Sequence, residues 1–168
     1  IDEILTDGLT SRLQTILVRE KRIAASVGSD SNYPGVRAPN LFILTGTPLA
    51  PHTAAEVEAA LYEELERLKK EPVPAKELEK ILNNIDADLV RALRSNSGLA
   101  SQLALYQTVA GDWRHVLKSR DKVAAVTAAD IQRVATRYFT KSNRTVGTLV
   151  KKANDKQMAG GPGSEVGQ

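Results

Sequence analysis

The residues best placed to do chemistry in this sequence are charged rather than nucleophilic. Arg19, Glu20, Lys21 and Arg22 stand together in "LVREKRIAASV", where a helical pattern gives way to an apolar run with strand character. An arginine offers five N–H donors to carbonyl or carboxylate oxygens, so the cluster can serve as an anion or carbonyl clamp. The same cations at a helix C-terminus also complement the helix dipole, for about 0.3–1 kcal/mol each, and that alone accounts for them.

Other chemistries find no residue set. The two histidines, His52 and His115, are far apart, and neither has a partner histidine at helical spacing. Neither H-E-x-x-H nor H-x-x-E-H occurs, and there is no cysteine, so no metal ligands and no zinc site are expected from this chain alone. Serines are plentiful, but G-x-S-x-G is absent. Gly160-Gly161 lies in a glycine-rich stretch, not between a strand and a helix, so it is no phosphate loop. Glu63, Glu64 and Glu66 with Arg67, Lys69 and Lys70 read as an exposed helix face of mixed sign. No catalytic residue is therefore expected.

Composition narrows the class. A chain of 168 residues, 42% hydrophobic and 26% charged, suits one globular domain with a real core. The net charge of +3 is spread among acidic residues, with no basic stripe interleaved with aromatics, so nucleic acid is not an expected partner. No apolar run reaches the about 18–20 residues needed to span a bilayer. The sequence opens on Ile1 in mid-helix pattern, which reads as a piece of something longer, its N-terminal part missing.

The elements that must position the cluster can be read in order. Ile1–Thr6 is the end of a helix, and Asp7-Gly8 a turn. Thr10 or Ser11 caps a second helix with Leu13, Ile16 and Leu17 on its apolar face. Ile23–Gly28 alternates as a strand, residues 28–39 make a loop, and Leu41–Thr47 is a buried strand. Thr53 and Glu56 form a capping box for a helix carrying Val57, Leu61, Leu65 and Leu68. Pro74 opens the next helix, with Leu78, Ile81, Leu82, Ile85, Leu89 and Leu93 along one side. Shorter helices start near Ser97, Asp112 and Thr127, and Arg144–Val150 alternates as a last strand. Residues 151–168, with four glycines and almost no large apolar side chain, read as a flexible tail or interdomain linker after a single domain over 1–150. The expected fold is α+β, an antiparallel sheet covered on one face by helices, with the Lys76–Arg94 helix packed across it.

The order of these pieces resembles the C-terminal, non-zinc-binding half-domain of the pitrilysin/insulinase family of zinc metallopeptidases. The matching stretches are "LTDGLTSRLQTILVREKRIAASV", "LFILTGTP", "EVEAALYEELERLKKEPVPAKELEKI", "SGLASQLALYQTVAGDW" and "VTAADIQRVATRYFTKSNRTVGTLV". The resemblance implies a pairing of homologous halves, fused or as separate subunits, around an enclosed peptide chamber. It places zinc in the partner half and none on this chain. It also implies a substrate-binding Arg, which falls on Arg19, and a Tyr a few residues later. The family pattern runs like R-E-K-R-G-L-A-Y-S-V; here "REKRIAASV" is one residue shorter and Ala25 stands where Tyr is expected. The expected role is thus a non-catalytic domain of a bacterial zinc metallopeptidase that helps enclose and bind peptide, inactive by itself. The alternative is a structural or assembly subunit that keeps the shell without proteolysis. Family habit implies the periplasm, with the cytoplasm as the other compartment.

Overall fold

The computed structural model describes residues 1–37 and 39–150, so the stretch 151–168, expected to be a tail, lies outside the described residues. Its sheet is an antiparallel pair, β1 (Ala24–Tyr33) and β2 (Leu41–Pro48). Val27 lies opposite Gly46 and Ser29 opposite Leu44. Opposed residues share a face, so Val27, Ser29, Phe42, Leu44 and Gly46 line one side of the pair. Ser26, Asp30, Thr45 and Thr47 line the other, and they are exposed.

Helices cover the first side only. They are α1 (Asp2–Leu5), a π-helix (Gln14–Glu20), α2 (Ala54–Lys70), α3 (Ala75–Leu93), α4 (Asn96–Ala110), α5 (His115–Ala124) and α6 (Ala128–Tyr138), with a 3-10 turn at Lys141–Asn143. The expected α+β architecture, a sheet covered on one face, is what forms. Thr53 and Glu56 close the capping box of α2, and Thr127 and Asp130 close another on α6. Phe139, just after α6, meets Phe42 of β2 with ring centroids 5.2 Å apart. Leu5, Leu13, Leu17 and Leu68 are fully buried and join α1, the π-helix and α2 into one core with Ala24 and Val27. Ser29 and Ser31 donate to the Asp2 carboxylate, which fixes α1 against β1.

Several local expectations are corrected. Residues 144–150 pair with no strand among the described residues. Alternation makes a segment fit for a ladder, but only a partner's backbone makes it a strand. Arg144 instead lays its guanidinium 4.0 Å from the Tyr62 ring on α2, and Val146, Leu149 and Val150 beyond it are exposed. The helix laid on the sheet is α2, not α3; α3 packs with α4, α5 and α1. Of its apolar row only Ile81 is buried. β1 runs on through Tyr33, because cross-strand pairing outweighs the poor strand propensity of Ser29, Asp30 and Asn32. β2 is only half covered, with Leu41 exposed, since helices lie on just one of its faces. Ser11 does not cap its helix; its hydroxyl donates to the Gly8 carbonyl.

Gly46 sets how closely α2 can lie on the sheet. A Cβ there would stand 2.6 Å from Val57 Cγ1, closer than packed carbons can come, while Leu61 Cδ1 at 3.6 Å would be an ordinary contact. Gly46→Ala should therefore lower the unfolding free energy in urea by about 1–3 kcal/mol. Gly147→Ala, where a Cβ would meet nothing within 4 Å, should change it by less than about 0.5 kcal/mol. Equal effects at the two positions would show that the helix–sheet contact gives way freely.

Candidate functional site

The charged cluster falls at the end of the π-helix and the start of β1, at the junction the sequence indicates. Seven residues in i→i+5 pitch are uncommon, and π segments recur at functional sites. The exit is abrupt. The Ile23 N–H donates to the Leu17 carbonyl at 3.0 Å, and the Ile23 carbonyl accepts from Leu49 N–H at 2.9 Å. Between these anchors Arg22 takes φ of +51°, a left-handed conformation that costs a non-glycine residue about 1–2 kcal/mol. Backbone strain of this kind persists only where the surroundings impose it.

Each member of the cluster has its own surroundings. Arg19 is exposed, and its Nη1 donates to the Leu9 carbonyl at 3.3 Å. That is its one hydrogen bond among the described residues, so most of its donors face outward. Lys21 reaches across to Glu63 of α2, Nζ to Oε2 at 3.0 Å. Glu20 lines a cavity between the π-helix and α2. Ala25 is the extra residue of a β-bulge: Ala24 lies opposite Pro48 and Ser26 opposite Thr47. The bulge returns Ala24 to the buried face and leaves Ala25 exposed. The structure thus brings Arg19 and Ala25 to the two sides of one tight corner.

The remaining candidates stay apart. His52 stands before α2 with Nδ1 3.4 Å from Glu56 Oε2, and His115 opens α5. No group of three or more His, Asp or Glu that could hold a metal occurs among the described residues. Glu3 has its carboxyl raised to about 7, by burial first and then by a hydrogen bond with Asp7; it lies on α1 beside Asp2, which anchors β1. Glu56 and Asp130 are held below the usual carboxylate range, Glu56 chiefly by the Thr53 backbone N–H and Asp130, at about 2, chiefly by the Thr127 hydroxyl; both serve their helix caps. The residue missed by sequence reasoning is Glu64. It sits in a row of charges that reads as exposed, yet only 4% of it is accessible. Its signal was position: it lies seven residues after Val57, on the buried stripe of α2.

Comparison with known proteins decides the family. The Peptidase M16 inactive domain matches residues 1–85, half of the chain. This chain belongs to that family. The pitrilysin/insulinase-type half-domain expected from the sequence is therefore what the chain is: a non-catalytic domain of the zinc metallopeptidase class. The zinc protease PqqE of Helicobacter pylori is 30% identical over 145 residues, covering 86% of this chain and 32% of the relative. The chain thus spans about a third of that relative. A crystal structure of a protease from Helicobacter pylori superposes with a TM-score of 0.75 at 27% identity, over 84% of this chain and 33% of that one. The inactive peptidase domain of a candidate zinc protease from Bordetella parapertussis gives 0.75 at 25% identity, over 89% and 79%. No helix among the described residues is long and apolar enough to cross a membrane.

The strained corner generates a prediction. Arg22→Gly should leave the unfolding free energy no lower than that of the parent, because glycine adopts positive φ without a Cβ clash. Arg22→Val should lower it by about 1–2 kcal/mol. If chemical denaturation finds valine tolerated as well as glycine, the corner is not strained.

Proposed function

We propose that this domain forms part of the wall of a peptide chamber and binds extended peptide beside a separate zinc-bearing half. The observation that carries the reading is the corner itself: a π-helix, a left-handed Arg22 and a bulge at Ala25 hold Arg19 at the surface with most of its donors directed outward. Strained corners and bulges concentrate where a protein re-aims side chains toward a ligand. Arg19 offers its guanidinium to peptide carbonyls or to a terminal carboxylate. A zinc ion held by the partner half would supply the Lewis-acid chemistry of hydrolysis there. This chain's contribution is to receive and orient the peptide. With Ala25 in place of a tyrosine, Arg19 acts on binding more than on the developing charge of the transition state.

In the complete enzyme, Arg19→Ala should raise KM several-fold and change kcat little, because the interaction is the same in ground and transition states. Stability should fall by at most about 1 kcal/mol, the value of an exposed helix-end cation. Unchanged KM and kcat would reduce Arg19 to a surface charge and favour the structural or assembly role.

The division of labour has its own test. Calorimetric titration of the chain with zinc should show no stoichiometric tight site, and no peptide should be cleaved. One tight zinc per chain, with cleavage lost to a chelator, would overturn it.

A further inference from the structure

The composition of α4 does not match its position. Its 15 residues, "NSGLASQLALYQTVA", carry no charge, in a chain that is 26% charged. A helix without a charged face belongs in an interior, yet no residue of α4 is buried. Leu99, Leu105 and Val109 stand exposed on it, and Trp113 and Leu117 are exposed where the chain passes into α5. Beside it, the α3 row of Leu78, Leu82, Ile85, Leu89 and Leu93 is only partly covered, and Ile81 alone is buried. Helices in proteins owe most of their stability to the packing of such a face. α3 and α4 therefore carry apolar surface that the described residues do not fully cover.

Chemistry narrows what covers it. α4 and the turn before α5 border a hollow of about 350 Å³, lined by Leu103, Ala104, Gln107 and Trp113. The Gln107 amide is already satisfied: Oε1 accepts from the Trp113 N–H at 3.3 Å, and Nε2 donates to the Gly111 carbonyl at 3.1 Å. The hollow thus asks for no polar group and suits an apolar side chain. The acids nearby are paired, Asp86 and Asp121 with Arg120, Asp88 with Arg91, and Asp112 with Arg114. Arg94, Lys118 and Lys122 have no ion pair among the described residues. A second copy related by a two-fold axis would set these cations against their own kind, which opposes self-pairing.

We infer that the outer surface of α3, α4 and α5 is the seat of a further segment of the same protein, outside this sequence, that lays an apolar face on α4. The related inactive domain from Bordetella parapertussis supports that source. The match takes in 89% of this chain but 79% of that one, so a domain of this type has more chain to pack than these residues supply. The inference uses neither Arg19 nor the charged corner, and it stands or falls apart from the peptide-binding reading.

The test is hydrogen exchange, read by mass spectrometry, on this chain alone and on the full-length protein that contains it. The α4 amides should exchange at least about tenfold more slowly in the full-length protein, the effect of burying even one more leucine. Replacing two exposed leucines together, Leu99→Glu with Leu105→Glu, should abolish that gain. In the chain alone both positions already face water, so the same pair should leave the urea midpoint little changed. Equal exchange of α4 in the two wild-type proteins overturns the inference, and that comparison needs no variant. A gain that survives the double substitution overturns it as well. If sedimentation shows that the chain alone is a dimer, and the double substitution makes it monomeric, the occupant is a second copy and the inference fails.

Discussion

The contact on which the rest of this structure depends is the approach of α2 to Gly46. A two-stranded antiparallel pair is marginal by itself and needs an apolar layer against one face. Here that layer is α2, which comes close only because Gly46 has no side chain in the way of Val57. Once α2 is seated, its stripe from Val57 to Leu68 defines the core that Leu13, just before the π-helix, and Leu17 within it complete. α6 then packs on α2, and Phe139 closes on Phe42. α3 is tied in differently. Arg12 donates through Nε and Nη2 to both oxygens of Glu77, at 2.9 and 2.7 Å, in a largely buried pair.

The charged corner follows from that arrangement. The π-helix must bring Leu17 into the core and then release the chain into β1 with Ala24 and Val27 facing the same way. A strand of strict alternation cannot bury both, because they are three residues apart. The bulge at Ala25 resolves the conflict by adding one residue to β1. The sharp turn before it falls on Arg22, which takes the left-handed backbone. The charges are therefore at the corner for more than the helix dipole. One of them, Lys21, crosses to α2, and another, Glu20, lines the cavity between the π-helix and α2.

Membership of the Peptidase M16 inactive domain family accords with what the side chains lack. No set of residues able to hold a metal occurs among those described, and the two histidines serve a helix cap and a helix start. The charged groups of the corner lie on the side of the sheet where the helices are, on the π-helix and α2, which flank one cavity.

Much of this was legible in the sequence. The capping boxes at Thr53 and Thr127, the helical rows of α2 and α6, and the strand Leu41–Thr47 are local signals, set by spacing and by side chains reaching their own backbone. The α+β class and the absence of a zinc motif followed from the same local information. What required the tertiary structure was every feature that depends on a distant partner. The alternation of residues 144–150 signalled a strand, but no described strand is there to pair with it. The apolar row of α3 signalled a sheet-covering helix, but Gly46 admits α2 to that place. Ser29 to Tyr33 signalled a loop, but the ladder with β2 extends through them. Glu64 looked like one exposed charge among several, and only the folded structure buries it. Sequence determines which residues can form an element or carry a charge; the contacts between elements decide which faces, and with them which charges, are buried.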